Sequence, residues 1–74
     1  MLKRDEISNP NSCLNKAADD EPVFVLRAQD ELAAAVVTDW AILAQKRGVS
    51  EQKVKEALEL ADAMKAWPTR KLPD

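Results

Sequence analysis

The apolar positions follow three different rules along the chain. Toward the C-terminus, Val54, Ala57, Leu58, Ala61 and Met64 recur at intervals of three and four, with Lys53, Lys55, Glu56, Glu59 and Asp62 between them. That period predicts an amphipathic helix over about 51–66 with one buried face. Ser50 is placed to cap it. Glu51 sits in its first turn, where the helix dipole favours negative charge, and is set to pair with Lys55 at i,i+4. Trp67-Pro68 ends it, with Trp67 as an optional extension of the stripe.

The preceding stretch is apolar on nearly every side. Leu32, Val36, Trp40 and Leu43 make one helical stripe, and Ala33, Val37, Ala41 and Ala44 make a second, with Ile42 beside them. A helix is predicted over about 31–47, with Asp30 as its N-cap and Gly48 as the left-handed residue that ends it. One neighbouring helix of this length cannot cover both stripes. The remaining cover is expected from the N-terminal segment and from another copy of the chain, so a homo-oligomer is expected, with Trp40 packed in a core.

The N-terminal third is irregular. Residues 1–11 read as a polar lead-in, and Asn9-Pro10-Asn11-Ser12 is turn chemistry. Asn11 or Ser12 would cap a short helix over Cys13–Ala18, which Asp19-Asp20-Glu21-Pro22 terminates. Val23-Phe24-Val25-Leu26-Arg27 is rich in β-branched and aromatic residues, so 22–27 is expected to be extended, either as a strand or as a packed coil. The expected fold is mainly α: a helix hairpin (about 31–47 and 51–66) with an N-terminal short helix and an extended segment. It forms one domain over 1–74, with 1–10 and 69–74 as flexible tails.

Composition narrows the chemistry. The chain has 74 residues, a formal net charge of −2, one Cys, one Gly and no His. A core this small is marginal without help from disulfides, metal or self-association. A single Cys and no His leave neither an internal disulfide nor the usual zinc ligand set, so self-association is the help that remains, and no metal or other cofactor is expected. Ser–His and Cys–His nucleophile pairs are excluded, as is a glycine-rich phosphate loop, and no enzyme activity is expected. Cys13 reads as a small half-buried apolar residue. No apolar run approaches a membrane span, and Asp5, Glu6 and Asn9 sit where a secretory leader would be apolar, so a cytoplasmic location is expected. Asp19-Asp20-Glu21 reads as a solvated helix end in preference to a cation site.

Two constellations bear on function. Ala44, Gly48 and Val54 have the spacing of a bacterial helix-turn-helix: a small residue, a turn glycine and an aliphatic contact. Any tight helix hairpin uses the same residues, and Glu51, Glu56 and Glu59 would repel phosphates where only Lys53 and Lys55 attract them. Nucleic-acid binding is therefore the less favoured reading. The second constellation is polar. Asn11, Ser12, Asn15 and Lys16 crowd the first turn and short helix, where amide and hydroxyl groups could read a nucleobase or ribose. Arg27, Arg70 and Lys71 would add the charge for phosphate if the fold brings them together, and Trp40 or Trp67 could stack on a base. The alternative is that Asn and Ser serve only the turn and cap, and that Arg27 pairs with Asp19, Asp20 or Glu21.

The stretch Asn9-Pro-Asn-Ser-Cys-Leu-Asn-Lys-Ala-Ala-Asp-Asp-Glu-Pro-Val-Phe-Val-Leu-Arg-Ala-Gln-Asp30, with Ala63-Met-Lys-Ala-Trp-Pro-Thr-Arg-Lys71, resembles a group of very small proteins encoded by tailed phages and prophages. The resemblance spans nearly the whole chain. It implies a phage accessory protein and carries over no established active site. Small oligomeric phage proteins often counter host defence, and one class sequesters cyclic-nucleotide or ADP-ribose-type signals between subunits. The expected function is thus non-catalytic binding of a nucleotide-type signal at a subunit interface, by Asn11, Ser12, Asn15, Lys16, Arg27, Arg70 and Lys71. The rivals are a protein-binding inhibitor of a host enzyme, acting through Asp19-Asp20-Glu21, and a helix-turn-helix regulator.

Overall fold

The hairpin forms where the periodicity places it. In the structure, a computed structural model describing residues 1–73, the helices are α1 (Lys3–Ser8), α2 (Cys13–Lys16), α3 (Ala33–Lys46) and α4 (Glu51–Lys65). Ser50 caps α4 as expected, its Oγ accepting a hydrogen bond from the Lys53 amide. Gly48 has φ +82°, which lets the chain reverse within residues 47–50, and the Val49 amide returns to the Ala44 carbonyl at 3.0 Å. The ion pair on α4 is Lys55–Glu59 at 4.0 Å, in place of the expected Glu51–Lys55 pair.

The two stripes of α3 have opposite fates. Ala41 and Ala44 pack with Val54 and Ala57 near the turn, and Ala33 and Ala34 pack with Met64 at the open end. Val37 joins both groups. Leu26, Ala28 and Leu60 close the open end. Small side chains let the helices approach closely, but each buries only about one methyl group, worth on the order of 0.8 kcal/mol. The other stripe, Leu32, Val36, Trp40 and Leu43, faces outward and is exposed. Trp40 is therefore no core residue in the single chain.

The N-terminal lead-in contains a helix that the sequence pattern does not predict. Residues 3–8 form α1, and α2 is shorter than expected, ending at Lys16 with Ala17 as its cap. The two short helices make a corner whose backbone ends are satisfied reciprocally. Asn15 Nδ2 lies 2.9, 3.0 and 2.9 Å from the carbonyl oxygens of Glu6, Ile7 and Asn9. Ser12 Oγ donates to the Glu6 carbonyl at 2.6 Å and accepts from the Asn15 amide at 3.1 Å. The Glu6 carboxylate accepts from the Leu14 amide. These are the terminal groups that a helix leaves without partners, so the corner holds without a core. Neither short helix packs against α3 or α4. Cys13, expected half-buried, is exposed.

Residues 22–27 form no strand, and Val23, Phe24 and Val25 stand exposed. A turn closed by the Asp30 amide on the Arg27 carbonyl leads into α3, which begins at Ala33, two residues later than expected. Asp30 still supports that start, because its carboxylate accepts from the Leu32 amide at 2.8 Å. The C-terminal stretch is tied down as well. Asp30 and Lys71 form a parallel bridge, with the Lys71 amide on the Gln29 carbonyl at 2.8 Å and the Glu31 amide on the Lys71 carbonyl at 2.9 Å. No helix is long and apolar enough to cross a membrane.

Candidate functional site

The seven polar positions separate into two groups. Asn11, Ser12, Asn15 and Lys16 belong to the α1–α2 corner, and Arg27, Arg70 and Lys71 gather at the bridge beside the start of α3. The polar capacity of the corner is largely turned inward. Ser12 is buried, and both N–H bonds of the Asn15 amide point at backbone carbonyls. These two residues hold the corner in shape. Asn11 is exposed, with its backbone amide on Asn9 Oδ1 at 2.9 Å. Lys16 is exposed in the last turn of α2, where its charge suits the negative end of the helix.

The bridge does for the cations what the sequence left conditional. By aligning residues 71 and 30, it sets Arg27 and Lys71 on the wall of one open cleft of about 260 Å³, with Val25, Gln29, Asp30 and Pro73. Arg27 makes no ion pair with Asp19, Asp20 or Glu21; Glu21 instead accepts from the Ala18 amide. Arg27 thus lines the cleft with no side-chain hydrogen bond or ion pair among the described residues. Arg70 is half-buried and is not among the residues lining the cleft. Its Nη2 donates to the Glu31 carbonyl at 3.1 Å, while its Nε is buried without a partner. Arg70 therefore links the C-terminal stretch to the segment that leads into α3. Asp30 shares the cleft, with one carboxylate oxygen engaged by the Leu32 amide.

A second cleft of about 290 Å³ lies between Met1 and α4, lined by Glu56, Glu59 and Leu60. Its carboxylates disfavour an anion. No three His, Cys, Asp or Glu side chains converge as metal ligands among the described residues. Trp40 and Trp67 are each about half exposed, at 47% and 53%.

The bridge is the feature that sequence reading missed. Lys71 carries no strand signal, and its pairing with residue 30 links positions 41 apart. The chemistry of Asn15 is visible in the sequence, but its partners at Glu6, Ile7 and Asn9 are not, because residues 1–11 read as a polar lead-in with no helical pattern. No family model matches the chain, and no curated protein or solved structure shows significant similarity to it.

Proposed function

We propose that the protein is a phage-encoded, non-catalytic binding protein that sequesters a nucleotide-type signalling molecule at an interface between copies of itself, counteracting host defence. The observation that carries the reading is the unpartnered Arg27 guanidinium beside Lys71 in an open cleft. A phosphate or phosphodiester meets such a group through charge-assisted, bidentate hydrogen bonds. The Gln29 amide and the Asp30 carboxylate offer polar groups with direction for a ribose or base edge.

At about 260 Å³, the cleft lies just below the range that ordinary ligand sites occupy. That size suits a half-site completed by a neighbour. The surface of the chain argues the same way. It exposes 6206 Å², whereas a compact monomer of 8.2 kDa exposes about 4,500 Å². The excess for one chain is about twice the area of about 800 Å² that each partner buries in a standard interface. In such an assembly Lys16 and Asn11, exposed on the corner, are the groups a second copy can bring to the cleft, with Ser12 and Asn15 keeping them in place.

The test is differential scanning fluorimetry and native mass spectrometry of the full chain against a panel of cyclic nucleotides and ADP-ribose derivatives. At least one compound should raise the melting temperature and travel with an oligomer, and Arg27→Ala should weaken that effect at least tenfold in apparent affinity. If the panel produces no shift and the protein isolated from infected cells carries no small molecule, the ligand reading is wrong. Recovery of one stoichiometric host protein instead would establish the inhibitor reading.

A further inference from the structure

Val23, Phe24 and Val25 form a strap that is neither helix nor strand, and Phe24 and Val25 are 86% and 72% exposed. The stripe Leu32, Val36, Trp40 and Leu43 on α3 is about half exposed, at 47–59%. Within one chain the two surfaces do not cover each other. Leu26 and Ala28 pack with Ala33, Ala34 and Met64, so the strap leaves on the buried side of α3, away from the exposed stripe. We infer that the strap of one copy seats on the exposed α3 stripe of a second copy, and that the second returns the contact. This deepens the assembly of copies in the reading above and is independent of any ligand.

Three features support the second copy as occupant. Surface excess is the first, since the chain exposes about 1,700 Å² beyond a compact monomer, more than the about 800 Å² that each partner gives up in a standard interface. Charge is the second. Asp19, Asp20 and Glu21 lead into the strap, and Lys46 and Arg47 stand at the C-terminal end of the stripe. Length is the third. With Glu21 at Arg47, an extended chain rising about 3.3 Å per residue reaches Phe24 after about 10 Å. The helix covers the same distance from Arg47 to Trp40 at about 1.5 Å per residue. Antiparallel seating thus sets Val23 beside Leu43 and Phe24 beside Trp40 while the acidic lead meets the basic helix end. An exchange of this kind, strap to helix and helix to strap, obeys two-fold symmetry and closes on itself.

Phe24 touches little in its own chain, so Phe24→Ala should leave the helical circular dichroism unchanged while raising the dissociation constant for self-association more than tenfold in sedimentation velocity. Arg47→Glu should weaken association in the same way. Mixing it with Asp20→Lys should restore a heteromer that neither variant forms alone. In a Cys13→Ser background, Val23→Cys and Leu43→Cys chains, one isotopically labelled, should be joined to each other by a short bis-maleimide more readily than either is joined to itself. Predominant strap-to-strap or helix-to-helix products overturn the inference, as does a monomer that persists at high micromolar concentration. A positive strap result with an inert ligand panel removes only the ligand reading. Ligand binding that survives in monomeric Phe24→Ala removes the need for a shared pocket and leaves the strap contact standing.

Discussion

Replacing Asn15 with Asp tests whether the N-terminal corner is held by side-chain capping alone. The two side chains have the same shape, but Asp has no N–H, and its carboxylate would face the three carbonyl oxygens that Asn15 now meets at 2.9–3.0 Å. One amide nitrogen has two hydrogens, so two of the three approaches are full hydrogen bonds and the third is shared. At a net 0.5–1.5 kcal/mol each, and with Asn15 exposed to water, the loss on local opening is about 1–2 kcal/mol. That raises the open population about 5- to 30-fold. Native-state hydrogen exchange reads it directly. The amides of Asn9, Lys16 and Ala17, bonded to the carbonyls of Asp5, Ser12 and Cys13, should exchange faster by that factor. The amides of Ala57 and Ala61 should keep wild-type protection, because neither short helix packs on the hairpin. Loss of protection in α4 would refute the independence of the two units, and unchanged exchange at Lys16 and Ala17 would refute the capping role of Asn15.

Other substitutions probe the remaining parts. Gly48→Ala meets no neighbour within 4 Å, so its effect is backbone strain at φ +82°, about 1 kcal/mol and about 4–8 °C in Tm by thermal unfolding. Ala41→Leu forces a large side chain between α3 and α4 at a fully buried position, with an expected loss of about 1–3 kcal/mol by urea denaturation. Lys55→Ala removes an exposed ion pair at 4.0 Å and should change stability by less than about 0.5 kcal/mol. Lys71→Ala keeps the backbone bridge, so it should weaken nucleotide binding by isothermal calorimetry without altering the circular dichroism spectrum.

The sequence by itself determined the hairpin. Ala41, Ala44, Val54 and Ala57 recur at helical spacing, Gly48 supplies a conformation other residues resist, and Ser50 brings its own cap; each of these acts within a few residues. It also exposed the imbalance of α3, because a helix with two apolar stripes announces more surface than one partner can cover. Which stripe turns inward was decided by the tertiary structure: alanines allow close approach of α4, whereas Leu32, Trp40 and Leu43 would hold it away. Tertiary structure likewise decided the gathering of Arg27 and Lys71, since a backbone bridge between positions 30 and 71 has no side-chain signature. The α1–α2 corner stands between these cases. Its capping residues were visible, but their partners are backbone carbonyls, which every residue possesses and no sequence distinguishes.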